Sequence, residues 1–145
     1  MGARDELIER MMTERSGLTA VTDRLTSRLD EQIGTDGWNV RDLLAHYAAW
    51  QRHAIRRMGT LRDGGEIKLI EADDFNPLAM SISRLWSDDE ILYEFEAAFE
   101  DLVEVVRNAP EEACVGEGWA IRYADRTAGS HYPEHLPDLQ ALLDS

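Results

Sequence analysis

An all-α four-helix bundle is the fold class this chain predicts, and three observations carry it. Apolar residues recur at three- and four-residue steps in four separate stretches. Glycines and prolines fall mostly between those stretches or near their ends. No internal repeat or heptad array redirects the pattern toward a solenoid or coiled coil. With 145 residues, the chain is expected to form one domain over 1–145, long enough to bury a core without disulfides or a structural metal.

The first helix is predicted over about residues 4–33. Leu7, Ile8, Met11, Leu18, Val21, Leu25, Leu29 and Ile33 share one face, Gly17 weakens the middle, and Gly34 follows as a stop. The second begins after Gly37-Trp38, with Asn39 as N-cap and Asp42 at N3. It continues through Leu43, His46, Trp50 and Ile55 to about Thr60. Arg52, Arg56 and Arg57 then fall in its last turns, where cations complement the helix dipole.

Between Leu61 and Trp86 the periodicity lapses, leaving a crossover longer than the roughly two to eight residues usual between bundle helices. A short helix near Leu78–Leu85, after Asn76-Pro77, is expected inside it, and the segment is a candidate lid over one end of the bundle. Ser87-Asp88-Asp89-Glu90 forms a capping box that opens the third helix, which runs through Ile91, Phe95, Phe99, Leu102 and Val106 before Pro110. The fourth stretch, about Trp119 to Leu143, contains Pro133 and Pro137. Each removes a backbone donor, so a kink or break is expected there.

Composition narrows the function. Hydrophobic residues make up 43% and charged residues 30%, which suits a globular chain rather than a disordered one. Twenty-nine acidic against fifteen basic residues give a formal charge of −14, a field that repels phosphate backbones and anionic lipid heads, so nucleic acid is not expected as a partner. Cys114 is the sole cysteine, which removes any intramolecular disulfide and makes the cytoplasm the expected compartment. Charges run through the first 17 residues where a secretory signal would be apolar, and no stretch reaches the roughly 20 apolar residues of a membrane helix. Glu6 stands where a myristoylation signal carries Ser or Thr.

The chemistry-bearing residues are histidines. His131 and His135 are four apart and so share a helix face, and His46 lies on the apolar side of the second helix. Neutral imidazole is the commonest protein metal ligand, and three such ligands leave a position open for water or substrate. His46, His131 and His135 are therefore the candidate metal ligands. The bland alternative makes His46 a hydrogen-bonded core residue and the pair a coincidence of spacing. His53 sits about 10.5 Å further along the axis than His46, too far to share an ion, and is expected at a pocket or on the surface.

Trp50, one turn from His46, is the best placed of Trp38, Trp50, Trp86 and Trp119 to line a cavity, with core packing as its alternative role. Phe75-Asn76 could close over a substrate, although Asn76 before Pro77 is also an ordinary turn element. Asp42 is either a capping residue or an orienting partner for His46. Glu134 is the one candidate base; helical geometry turns it about 100° from His135 and favours an exposed position or one behind the ligands. His131-Tyr132-Pro133-Glu134-His135 also fits the H-x-x-E-H pattern of inverted zinc peptidases, but Pro133 interrupts the helix that motif requires.

Two stretches, Gly37-Trp38-Asn39-Val40-Arg41-Asp42-Leu43-Leu44-Ala45-His46 and Ser130-His131-Tyr132-Pro133-Glu134-His135-Leu136-Pro137, resemble the signature regions of the DinB/YfiT-like superfamily. The second is most similar to the ClbS/DfsB branch. The resemblance implies a four-helix bundle with a long second crossover and a divalent ion, often nickel or zinc, held at His46, His131 and His135. It further implies a metal-dependent transferase or hydrolase of small molecules. A low-molecular-weight thiol such as mycothiol, bacillithiol or glutathione would serve as co-substrate, and a role in detoxification or resistance would follow. Related bundles pair, so a homodimer is expected as well. The competing expectation is a binding protein that sequesters a reactive small molecule without turnover.

Overall fold

A computed structural model describes residues 2–129 and 131–145. Six α-helices run in the order α1 (Ala3–Thr22), α2 (Val40–Arg62), α3 (Ala72–Ser83), α4 (Asp88–Arg107), α5 (Trp119–Ala124) and α6 (His131–Leu143). Helices α1, α2, α4 and α6 are the long members of an all-α bundle, as predicted. The α2–α4 contact is its most extensive interface.

The first helix is shorter than its periodicity suggests. It ends at Thr22, gives way to a 3-10 turn over Asp23–Leu25, and is followed by a two-stranded hairpin of β1 (Gln32–Ile33) and β2 (Trp38–Asn39). Leu25, Leu29 and Ile33 nevertheless stay buried at 0%, 4% and 6% exposure. Burial is thus kept while the backbone leaves the helix, in a segment where Thr22, Asp23, Thr26 and Ser27 all favour turns over helix interiors. Gly17 sits within α1 without interrupting it. Gly34 and Gly37 adopt φ of +57° and +78° to turn the hairpin, a conformation open to glycine at no steric cost.

The hairpin sets the start of α2. The Val40 N–H donates to the Glu31 carbonyl and the Arg41 N–H to the Leu29 carbonyl, so two helix-end donors are paired outside the helix. Asn39 and Asp42 complete a reciprocal capping box. Asp42 is committed to that cap and to Arg84 at 3.3 Å, which assigns it the capping role rather than the orienting one. Because α2 extends to Arg62, Arg52 lies mid-helix. It clamps α2 to α4 through Glu94 at 2.6 Å and Asp101 at 2.5 Å instead of serving the helix dipole.

Within the crossover, α3 begins at Ala72, six residues earlier than expected, and carries Pro77 in its interior. Pro77 forfeits only the bond that its N–H would have made to the Asp73 carbonyl. Helix α3 lies against α2, where the Trp50 indole N–H donates to Asn76 Oδ1 at 2.8 Å and the Trp50 and Phe75 rings stand 4.3 Å apart.

The break in the last stretch falls ahead of both prolines. Helix α5 passes into a π turn over Asp125–Gly129, and α6 covers His131–Leu143. Ser130 lies outside the described residues. Pro133 therefore occupies the first turn of α6, where a missing donor costs nothing, and Pro137 is carried inside the helix.

Candidate metal centre

Helix α2 presents His46 from its second turn, and α6 presents His131 and His135 from one face. Their candidate ligand nitrogens all lie within 4.8 Å of one another, and the Nε2 atoms of His46 and His131 are 2.9 Å apart. Two imidazole nitrogens this close need something positive between them, either a proton on one ring or a cation bound by both. Ligands at about 2.0–2.1 Å from a shared ion stand roughly 3 Å apart, so the His46–His131 spacing fits an ion. An all-nitrogen donor set suits a borderline divalent metal such as zinc or nickel.

Burial keeps two of these rings in the neutral form. Desolvation first, then the His131 and His135 imidazoles, push His46 down to about 3. Desolvation and His135 push His131 down to about 4. Both are neutral at pH 7, the form in which imidazole has a lone pair to give.

Aromatic packing fixes the rings. Trp38, at the start of β2, stands 4.8 Å from the His46 ring and 6.4 Å from the His135 ring. On the core side, Tyr47 meets His131 edge-on at 5.1 Å, and its hydroxyl donates to the Tyr132 carbonyl at 3.4 Å. Behind Tyr132, its hydroxyl receives Gln51 Nε2 at 2.7 Å and Arg15 Nη1 at 2.9 Å. Arg15 also donates to the Phe95 carbonyl at 2.7 Å and lies over the Phe95 ring at 3.6 Å. These buried contacts join α1, α2, α4 and α6 around the histidines.

The triad opens into a cavity of about 460 Å³. Trp50, His53 and Asn76 line it, so the three residues expected at a pocket share one wall system with the three histidines. His53 is out of the cluster of ligand atoms, as its axial displacement requires. Glu134 lies at the cavity on the exposed side of α6.

The family model for the mycothiol maleylpyruvate isomerase N-terminal domain matches residues 11–136, from α1 into α6. The chain belongs to that family. The mycothiol maleylpyruvate isomerase N-terminal domain is a member of the DinB-like helical superfamily and is associated with mycothiol-dependent enzymes and metal-binding bundles. The matched span takes in His46, His131 and His135. No curated protein and no solved structure gives a match.

Within this family member, sequence reasoning missed four contributors. Trp38 was one tryptophan among four, although its place two residues before α2 is where a hydrophobic staple residue stands. Arg57 and Tyr123, which also line the cavity, carried no local signal, because one is read as a dipole residue and the other falls in an irregular stretch. Arg15 looks like an exposed charge on α1, yet it is 5% exposed.

Proposed function

We propose that this chain is a divalent-metal-dependent enzyme acting on small molecules, a transferase or hydrolase in which His46, His131 and His135 hold the ion and a low-molecular-weight thiol serves as co-substrate. The observation that carries this reading is the approach of three imidazoles from two distant helices at the wall of one cavity. The donor set favours nickel or zinc. The resemblance of the Ser130–Pro137 stretch to the ClbS/DfsB branch supports a role in detoxification or resistance.

A divalent ion in that position supplies acidity, lowering the pKa of a thiol or water and polarising an electrophile. The chain's own groups set the conditions for it. His46 and His131 stay unprotonated through the neutral range because they are buried. Trp38 covers His46 and His135 and limits the approach of water from that side. Trp50, held by Asn76, gives a flat apolar wall against which a substrate can lie. Glu134, at the rim, is positioned to exchange protons with solvent rather than to ligate.

The reading carries three further proposals. The free Cys114, with no disulfide partner in the chain, suits a cytoplasmic setting. Leu78, Ile82 and Leu85 form an exposed apolar edge at α3 that supports self-pairing as a homodimer. The −14 charge supports the absence of a nucleic-acid partner, and among the described residues no helix is long and apolar enough to cross a membrane. Elemental analysis of untagged protein, then a screen of thiol and electrophile pairs with metal restored, tests the whole. Product in excess of protein marks an enzyme. Product capped at one equivalent marks the sequestering alternative.

A further inference from the structure

Helix α2 lines the cavity with more than a metal ligand. His46, Trp50, His53 and Arg57 follow one another at steps of four, three and four residues, which places them down a single helical face. At about 1.5 Å of rise per residue, Arg57 begins about 16 Å beyond His46 along the axis. Helical side chains lean toward the N-terminus, so the guanidinium reaches back and lies on the order of 10 Å from the triad.

This end of the cavity is electropositive in a chain that has about two acids for every base. His53 lines it one turn before Arg57 on the same helical face, and Tyr123 lies across from it, 5.9 Å from the Arg57 guanidinium carbon. Burial first, then Arg57 and Arg56, hold the His53 imidazole below its ordinary range, which registers the local positive field. Among the described residues, Arg57 faces no carboxylate within ion-pair distance, and its Nε is buried without a hydrogen-bond partner. The contrast is with Arg15, Arg41, Arg52 and Arg84, each of which has a carboxylate partner. Acidic residues line the cavity elsewhere: Asp36 in the hairpin loop, and Glu134 and Asp138 on α6. The cavity is therefore polarised, and an anion is driven to the Arg57 end.

We propose that Arg57, with His53, forms an anion subsite that takes the carboxylate terminus of an elongated small molecule whose other end meets the three-histidine centre. The spanning part rests on the metal reading above; the anion subsite does not. A guanidinium presents two parallel donors to a carboxylate, and in a partly dry cavity that pairing is stronger than at the surface. The ligand class is thus a chain of about 10 Å with a carboxylate at one end and a metal-seeking group, such as a thiol, at the other.

The test uses 8-mercaptooctanoic acid, its methyl ester and 3-mercaptopropanoic acid, titrated into the full chain with and without bound zinc and followed by tryptophan fluorescence. We expect the long acid to bind at least tenfold tighter than its ester in both metal states. Arg57→Gln should bring acid and ester within twofold of each other, and Arg57→Lys should restore part of the gap. Thermal melts should show each variant folded. With zinc bound, the long acid should also exceed the short one at least tenfold. Equal binding of acid and ester, an unchanged gap in Arg57→Gln, or no binding of either overturns the anion subsite. A gap that vanishes in Arg57→Gln while zinc strengthens no ligand leaves the subsite standing and counts against the metal reading instead.

Discussion

Gln51 Nε2 donates to the Tyr132 hydroxyl over 2.7 Å in the core, and this bond ties the helix bearing His46 to the helix bearing His131 and His135. Tyr132 follows His131 directly, so whatever fixes its ring fixes the position of α6 against α2. The same hydroxyl receives Arg15 from α1. A buried polar network of this kind is costly when any member loses its partner.

Tyr132→Phe keeps the ring and removes the hydroxyl, leaving the Gln51 amide and one Arg15 nitrogen without that partner. We expect a loss of about 1–3 kcal/mol in unfolding free energy. Urea denaturation measures it. A loss under a few tenths of a kcal/mol would mean that the network does not hold the helices in place.

Stability of the metal-free chain should fall as the solution is acidified. In the folded state His46 and His131 are pushed from 6.5 down to about 3 and about 4. The unfolded chain therefore binds more protons between roughly pH 6.5 and those values, and stability rises with pH across that window. Their contribution is complete above about pH 6.5 and drains away toward pH 4, by on the order of a few kcal/mol. Chemical unfolding at pH 7.5 and 5.0 reads the sign, and replacing His46 by Gln should flatten the slope.

Removing the side-chain amide in Asn76→Ala frees the Trp50 indole N–H, which otherwise bonds Asn76 Oδ1 at 2.8 Å. We expect about 1 kcal/mol less stability for the docking of α3. Hydrogen exchange should speed up across residues 72–83 with little change in α4. Uniform loss of protection throughout the chain would show instead that α3 does not open by itself.

Glu134→Gln should leave metal affinity within about twofold, because Glu134 lies on the exposed side of α6 and outside the cluster of ligand atoms. Calorimetric titration with zinc measures it. A tenfold weakening would place the carboxylate against the ion.

Local chemistry was the legible part of the sequence. The Ser87 box and the Asn39 cap satisfy backbone donors three residues away, so both helix starts can be read from four letters. The i, i+4 histidines are equally local. What escaped depends on partners far along the chain. The spacing of Leu25, Leu29 and Ile33 mimics a helix because a 3-10 turn and a hairpin can bury the same three side chains. Helix α3 starts early because docking on Trp50 offsets the donor lost at Pro77. Arg15 is buried only because Phe95, Phe99 and Tyr132 surround it from other helices, and nothing near residue 15 announces that.

The most direct measurement is the stoichiometry and affinity of zinc and nickel for the purified chain, compared with His46→Gln, His131→Gln and His135→Gln. We expect one ion per chain, and at least a hundredfold weakening in each variant with the helical circular dichroism retained. Binding that is absent from the parent chain, or that survives replacement of any one of the three, would contradict a centre built from these imidazoles.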